Sequence, residues 1–218
     1  NSRGLLAGGN TPSGGTTYVS IMDFINMSSS GNASNFGDLS VARFSVSNGM
    51  GSFTRAVFGG GYQNTDANSN VLDYVTFSTE GNAADFGDMT AAYDLTSGVS
   101  NSVRGIQAGG HPGSSPVNVI QYITINSTGN ATDFGDLTAA RRHAAGMSSP
   151  TRGCFSGGAT PSIVNTIDFI EIATTGNATD FADLSQSRRP SAGISSSTRG
   201  VTMGGFTPSI VTTVDFIT

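Results

Sequence analysis

Lysine and tryptophan are absent from this 218-residue sequence, and charged residues of both signs are scarce, at 11%. Without lysine the chain cannot form a phosphate-binding loop of the G-x-x-x-x-G-K-[ST] type. Ten arginines face fifteen acidic residues, for a net charge of -5, whereas domains that bind nucleic acid carry a basic patch. The composition therefore argues against a nucleic acid partner and against an anionic membrane surface.

Long hydrophobic runs and paired cysteines are also missing. No stretch approaches the ~18 apolar residues that span a bilayer, so we predict a soluble chain without membrane insertion. Cys154 is the single cysteine and cannot form an internal disulfide; we expect a small buried hydrophobic side chain, not a reactive thiol. No charged, hydrophobic and cleavage-site succession opens the sequence, so no targeting segment is predicted within it.

What the sequence does contain is repetition. An arginine followed five and six residues later by Gly-Gly occurs at Arg3, Arg55, Arg104, Arg152 and Arg199, with spacings of 52, 49, 48 and 47 residues. A second phrase recurs as SSGNASNFGDLSVAR (29–43), TEGNAADFGDMTAAY (79–93), STGNATDFGDLTAARR (127–142) and TTGNATDFADLSQSR (174–188). A period near 48 residues is typical of propeller blades.

Each unit contains four short β-like segments. In the fourth unit they are RGCFSGG (152–158), NTIDFIEIAT (165–174), TDFADLS (179–185) and SAGISSS (191–197), separated by turn-forming residues. No segment has the apolar spacing of a helix. We therefore predict an all-β fold, a single β-propeller domain over residues 1–218. Its repeat units are approximately 1–42, 43–92, 93–140, 141–187 and 188–218.

Two details of packing follow from a propeller. Glycine and alanine would let the innermost strands crowd together near the axis. The aromatic residue of each F-[GA]-D motif is expected to wedge between neighbouring blades: Phe36, Phe86, Phe134 and Phe181.

The repeats resemble the kelch repeat along the whole chain. The shared features are the Gly-Gly that ends one strand, an aromatic that follows Asp (in one unit Gln) in the next strand, a later aromatic, and an arginine before the innermost strand. The second feature occurs at Asp23-Phe24, Asp73-Tyr74, Gln121-Tyr122, Asp168-Phe169 and Asp215-Phe216. Kelch units usually carry tryptophan where this chain has the F-[GA]-D phenylalanine. The repeats are also similar to the degenerate kelch-like repeats of phage tail and virion proteins.

The resemblance implies blades of four strands, named a (innermost) to d (outermost). The sequence supplies five b, five c, four a and four d segments, so about five blades are predicted, the first and last incomplete. One d-to-a stretch of roughly 25 residues would complete five blades. These residues are either part of a longer chain with more blades or a five-bladed ring whose missing half-blade is absent or comes from another chain. We favour the longer chain, because an open strand edge in an incomplete ring would invite pairing with another strand.

Catalytic motifs are not found. Copper-containing propeller oxidases need several histidines and tyrosines, but His111 and His143 are the only histidines and no H-x-x-H spacing exists. The S-x-D-x-G-x-x-W boxes of propeller sialidases and the G-x-S-x-G motif are missing too. We predict no enzyme activity, no catalytic residue, no cofactor and no metal.

Three D-x-x-D pairs recur at one place in the repeat: Asp85/Asp88, Asp133/Asp136 and Asp180/Asp183. A structural role for these aspartates is preferred, and a calcium site is the lesser alternative.

The arginines fall into two classes. Those that open the b strand recur in every unit and are expected to form a blade-to-blade hydrogen bond or an ion pair with an aspartate. The others lie in the d-to-a connections: Arg43, Arg141, Arg142, Arg188 and Arg189, with Tyr93-Asp94 in the second unit.

Propeller topology places the d-to-a connections and the variable b-to-c loops on one face of the disc. Variable loops on a rigid frame are where recognition usually lies, and in the kelch family this is the usual ligand face. The candidate ligand-contacting residues are Tyr62, Tyr93, His111, Arg142, Arg189 and Phe206. Ordinary solvated loop residues remain the alternative.

The sequence thus predicts a non-catalytic recognition or structural β-propeller, extracellular or in a virion, such as a phage tail-fibre or surface-appendage module. Its partner would be a glycan or a protein, bound through the loop face. One alternative is an architectural disc that assembles with itself or with virion partners. The other is a secreted propeller enzyme.

Overall fold

The computed structural model describes residues 2–11, 17–46 and 49–218, and the regular elements in these ranges are β-strands. They are β1 (Arg3–Thr11), β2 (Thr17–Asn26), β3 (Ser34–Asp38), β4 (Arg43–Phe44), β5 (Met50–Gly51), β6 (Arg55–Gly59), β7 (Tyr62–Gln63), β8 (Val71–Thr76), β9 (Ala84–Asp88), β10 (Ser97–Ser100), β11 (Arg104–Ala108), β12 (Val119–Thr124), β13 (Thr132–Asp136), β14 (Ala145–Ser148), β15 (Arg152–Ser156), β16 (Thr166–Glu171), β17 (Thr179–Asp183), β18 (Ala192–Ser195), β19 (Gly200–Met203) and β20 (Val214–Ile217). No helix in the described ranges has the length and hydrophobicity to cross a membrane.

The strands form five small antiparallel sheets, the blades of a five-blade β-propeller, as predicted. In sheet order they are blade 1 (β1-β2-β3), blade 2 (β5-β6-β8-β9), blade 3 (β10-β11-β12-β13), blade 4 (β14-β15-β16-β17) and blade 5 (β18-β19-β20). Strands β4 and β7 form a separate two-stranded ribbon. In its described residues blade 1 has strands b, c and d, and blade 5 has strands a, b and c.

The a strands are β5, β10, β14 and β18, and consecutive ones contact one another. Glycine makes this approach possible. A Cβ on Gly146 would lie 2.3 Å from the Gly98 carbonyl oxygen, and one on Gly193 would lie 2.4 Å from that of Gly146. The expected crowding of small residues near the axis is confirmed.

A β-bulge recurs where strand c pairs with strand d. In blade 3, Ile120 pairs with Gly135 and Gln121 with Asp133, so Phe134 is the extra residue of strand d. The same register shift occurs in blades 1, 2 and 4. A bulge leaves its extra residue unpaired and re-aims the side chain, which explains how the F-[GA]-D phenylalanine can turn toward a neighbour.

The hydrophobic core lies between blades. Phe36 of blade 1 packs with Phe58, Val75 and Ala83 of blade 2, and the corresponding cluster of blades 3 and 4 joins Phe134 to Phe155, Ile170 and Ala178. Similar clusters connect blades 2 and 3, and blades 4 and 5.

The wedge prediction is confirmed for Phe36, Phe86 and Phe134, which are buried, and is wrong for Phe181, which is 37% exposed. A Gly-Asn-Ala turn of the next blade covers each of the first three. The described part of blade 5 contains no such turn over Phe181. Cys154 is buried, as expected, and burial raises the pKa of its thiol.

Candidate functional site

The d-to-a connection entering each blade pairs with the b-to-c loop of the same blade. Asp94 and His111 exchange backbone hydrogen bonds of 3.2 and 2.9 Å, and Arg189 and Phe206 exchange bonds of 2.9 and 2.8 Å. Arg142 pairs in the same way with Ala159, and Phe44 with Tyr62 in the β4-β7 ribbon. The two kinds of loop therefore share one face, which we call the loop face. The corresponding loop of blade 1, residues 10–17, lies mostly outside the described residues.

A cavity of about 260 Å³ opens at the centre of the loop face. Each of the four d-to-a connections contributes two consecutive residues to its wall: Ser45-Val46, Leu95-Thr96, His143-Ala144 and Pro190-Ser191. The cavity is therefore the mouth of the propeller hub. Residues from four blades reach one point there, although they are about 48 positions apart in sequence.

Unusual backbone geometry positions the hub residues. Ser45, Leu95 and His143 have φ values of 53°, 56° and 61°, a left-handed conformation that is uncommon for residues other than glycine. The His143 N–H donates a 3.0 Å hydrogen bond to the Leu95 carbonyl oxygen, which joins neighbouring blades around the hub. The chain thus holds His143 in a fixed orientation at the cavity wall.

Three of the d-to-a arginines have buried side chains and do not contribute to the exposed loop face. Arg43, Arg141 and Arg188 are at most 1% exposed, and each forms an ion pair of 2.8 to 2.9 Å with the strand c aspartate of the blade it enters: Asp73, Asp168 and Asp215. Burial lowers the pKa of Arg43 and of Arg141, and the aspartate opposes that shift.

Tyr93 occupies the equivalent position in blade 3, and it is only 7% exposed. It packs in the core cluster with Phe86, Met89 and Ile123. Its place beside the loop face was predicted, but its side chain points into the core, so the exposed part of the loop face does not include it. The aspartate partner is replaced there by Gln121, whose Oε1 accepts bonds from the Thr90 N–H and hydroxyl at 2.8 and 3.0 Å.

Three of the five b-strand arginines bridge blades through a hydrogen bond, as expected, and none of the five forms an ion pair with an aspartate in the described chain. The guanidinium groups of Arg55 and Arg104 donate to the Ile125 and Ile172 carbonyl oxygens of the following blade at 3.2 and 3.0 Å. Arg3 bonds similarly to Phe77. All five also lie over an aromatic ring of their own blade, 4.5 to 5.3 Å from its centroid.

Arg142 and Arg189 differ from the other eight arginines. Both are half-buried, and within the described residues neither side chain has an ion pair, a hydrogen bond or an aromatic ring to stack on. Their Nε atoms are buried without a partner among those residues. The Nε atoms of Arg43, Arg141 and Arg188 lack a partner too, but their guanidinium groups bond an aspartate. Arg142 and Arg189 are distinguished because no atom of either guanidinium group has an acceptor in the described chain, and an unsatisfied buried donor costs about 1 to 3 kcal/mol.

Histidine and aspartate side chains complete the charged part of the face. Burial, followed by the charges of Arg189, Arg142 and His111, lowers the pKa of His143 to about 4. Burial raises the pKa of Asp94, against the opposing effect of His111 and Arg142. His111 Nδ1 lies 3.7 Å from Asp94 Oδ1. His111, Arg142 and Arg189 are therefore all close enough to His143 for their charges to act on it.

Aromatic residues form a different part of the loop face. Tyr18 stacks on Phe44 with ring centroids 4.6 Å apart, and both make edge contacts with the predicted residue Tyr62. Phe206, also predicted, is 42% exposed in blade 5. Tyr18 and Phe44 were not predicted. Phe44 follows Arg43 as Arg142 follows Arg141, so the repeat alignment contained a signal for it.

Metal ligands do not converge in the described residues, where no group of three or more His, Cys, Asp or Glu could hold an ion. The second aspartate of the D-x-x-D pairs has a backbone role instead. The Asp88 and Asp136 N–H groups donate to Asn130 and Asn177 Oδ1 of the next blade at 3.0 and 3.1 Å.

A second cavity of about 470 Å³ lies between blades 4 and 5. Its wall includes Met147, Cys154, Phe181 and the serine-rich turn at 195–198. None of the six predicted residues lines this cavity or the one at the centre of the loop face. It contains the exposed Arg152–Glu171 ion pair, 3.0 Å long, and exposed pairs of this kind contribute little.

No family model matches the chain, and no curated protein matches it. A function for this chain is therefore inferred from its fold and from the geometry of the loop face.

Proposed function

We propose that this chain is a non-catalytic recognition module that binds its ligand through the loop face. A propeller is consistent with a binding or structural module. The observation that favours binding is the pair Arg142 and Arg189, two half-buried cations without a partner in the described chain. Each directly precedes a residue that lines the central cavity, His143 or Pro190, and each pairs with a variable loop. Repeated positions elsewhere serve the scaffold, whereas these differ from blade to blade.

The ligand we propose is a glycan or a protein met outside the cell. The kelch-like repeats resemble those of phage tail and virion proteins, which supports a place in a tail fibre or other surface appendage. The aromatic group of Tyr18, Phe44 and Tyr62 adds apolar area of the kind that packs on sugar rings or peptide side chains.

Glycan and peptide arrays test the proposal. Wild-type protein should give selective binding, which the double variant Arg142→Gln/Arg189→Gln should weaken at least about tenfold, the loss expected from one or more charge-assisted hydrogen bonds. Arg152→Gln is the matched control, since Arg152 opens a b strand on the opposite face and is exposed. Binding that the double variant leaves unchanged would rule out the loop face.

A self-assembling architectural disc is the second candidate. Large apolar side chains are exposed on blades 1 and 5, among them Leu6 at 62%, Val214 at 61% and Phe216 at 63%. Contiguous exposed apolar surface often marks an interaction site. Sedimentation over a hundredfold range of concentration should then show association that Leu6→Ser/Phe216→Ser abolishes; a monomer throughout would remove this candidate.

A further inference from the structure

The loop face also indicates the chemistry of its ligand, an inference that rests on the recognition function proposed above. It depends on Arg142, Arg189, Thr96, His143 and Asp94, which we call the hub-mouth cluster. Their contacts distinguish them from the same residue types elsewhere in the propeller.

The arginines supply the first step. Eight arginines of this chain satisfy their charge with a carboxylate, a carbonyl oxygen or an aromatic ring. The three buried arginines that pair with an aspartate, Arg43, Arg141 and Arg188, are called the scaffold arginines. Arg142 and Arg189 directly follow two of them in the sequence. Because the scaffold arginine forms the ion pair with the nearby aspartate, the guanidinium group of the next arginine has no carboxylate partner in the described chain.

Unpartnered polar atoms around the cavity supply the second step. Thr96 is 7% exposed and lines the cavity, yet its Oγ1 has no hydrogen-bond partner within the described chain. The Ser191 hydroxyl, on the wall of the same cavity, is also buried without a hydrogen-bond partner in the described chain.

Arg142 and Arg189 do not line the cavity themselves but directly precede the lining residues His143 and Pro190. Asp94 Oδ1 is the one unpartnered acceptor of the hub-mouth cluster in the described chain. Buried polar groups nearly always have a partner, so the unpartnered hydroxyl and guanidinium donors point to an acceptor that comes from outside the chain.

The charge balance supplies the third step. Asp94 is the carboxylate of the hub-mouth cluster, and its charge acts on His111 and Arg142. No carboxylate in the described chain lies within 4.0 Å of Arg189. Although the protein carries a net charge of -5, this part of the face is locally positive, because two arginines face one aspartate there.

We infer that the hub-mouth cluster binds a single oxyanion group of the ligand, a carboxylate, sulfate or phosphate. Arg142 and Arg189 donate charge-assisted hydrogen bonds to its oxygens, and the Thr96 hydroxyl donates a further one. His143 stays neutral at physiological pH and offers a ring N–H. The remainder of the ligand extends over the aromatic part of the loop face.

Nuclear magnetic resonance of the arginine Nε–H groups tests this directly. Wild-type protein is titrated with sodium sulfate, sodium phosphate and sodium acetate, each against sodium chloride at equal ionic strength. We expect saturable shifts at Arg142 and Arg189 and none at Arg55 and Arg104, whose guanidinium groups already bond a carbonyl. The acetate arm separates a carboxylate site from one that prefers a tetrahedral anion.

Two matched changes sharpen the test. Arg142→Gln and Arg189→Gln should each weaken the preferred anion at least about tenfold, whereas Arg152→Gln should change its affinity less than about twofold. In wild-type protein, saturating anion should also raise the pKa of His143 above its value of about 4, since it offsets the charges of Arg189 and Arg142. This readout needs no variant, so a misfolded variant would not obscure the answer.

Linear, unsaturable shifts of equal size at all arginines would overturn the oxyanion site, as would an unchanged His143 titration. If the arrays show binding that the loop variants abolish while small anions do not bind, recognition stands and the oxyanion site fails. If anions bind but no array ligand does, the oxyanion site stands and recognition fails.

Discussion

At the scale of single residues, arginine has three roles, and its position in the repeat determines which role it has. In the d-to-a connection the scaffold arginine is buried with an aspartate. At the start of strand b it bridges two blades and stacks on an aromatic ring. Directly after the scaffold arginine it has no partner in the described chain, and we propose that it contacts the ligand. Blade 3 shows that the buried pair is not obligatory, because Tyr93 and Gln121 replace it without a charge.

Arg141→Met should lower the free energy of unfolding by about 3 to 5 kcal/mol, because it leaves Asp168 buried without its cation. Arg141→Tyr/Asp168→Gln should recover at least half of this loss, since it copies Tyr93 and Gln121 of blade 3. Urea denaturation measures both. A cost below about 1 kcal/mol for Arg141→Met, the level of a surface pair, would contradict the buried-pair interpretation.

His143 should make stability depend on pH in a defined window. Its pKa is about 4 in the folded protein against 6.5 for the free side chain, so between these values the unfolded chain binds more protons. Stability is therefore complete above about pH 6.5 and falls as the pH is lowered toward 4. His143→Asn, which tolerates the left-handed backbone, should remove on the order of 1 to 3 kcal/mol of this dependence. His111→Asn is the control, and identical pH profiles for wild type and His143→Asn would contradict the prediction.

At the scale of elements, one repeated contact joins the outer rims of neighbouring blades. The Gly-Asn-Ala turn of a blade donates backbone hydrogen bonds to the F-[GA]-D strand of the blade before it, as Gly129 does to Phe86 at 2.7 Å. The asparagine side chain accepts one in return. The glycine of F-G-D has a φ near 150° at Gly37, Gly87 and Gly135, so both its conformation and its lack of Cβ serve this contact.

Gly135→Ala should destabilise the protein by about 2 to 4 kcal/mol, because its Cβ would lie 2.4 Å from the Gly176 carbonyl oxygen. Ala182 occupies the same position in blade 4, where the described chain has no turn to contact, so Ala182→Gly should change stability by less than about 1 kcal/mol. Thermal and urea unfolding measure the two variants side by side. Equal effects would show that the rim contact is not the reason for the glycine.

At the scale of the whole molecule, stability is shared between neighbouring blades, because each core cluster contains residues from two sheets. A single blade has no core of its own. Repeat architectures of this kind depend on nearest-neighbour interfaces. Unfolding of one blade therefore exposes the apolar faces of those beside it.

Phe155→Ala, at the interface of blades 3 and 4, should lower the free energy of unfolding by about 3 to 5 kcal/mol and should shift every probe together. The chain offers two separate probes: all five tyrosines lie in residues 18–122, whereas Cys154 lies in blade 4. Near-ultraviolet circular dichroism and thiol labelling in urea should give coincident midpoints. A shift in Cys154 labelling alone would show that the blades unfold independently.

The sequence by itself determined the all-β fold, the blade period and the strand segments, because turn residues and β-branched runs act locally and recur at fixed offsets. It also indicated the loop face. Only the tertiary structure decided which member of Arg141-Arg142 and of Arg188-Arg189 is buried, because adjacent residues of an extended chain point to opposite sides and either could have faced the aspartate. Only the tertiary structure showed that Tyr93 joins the core. It also placed His143 within reach of the charges of three residues from other parts of the repeat, Arg142, Arg189 and His111, because their proximity depends on how separate blades converge on one axis.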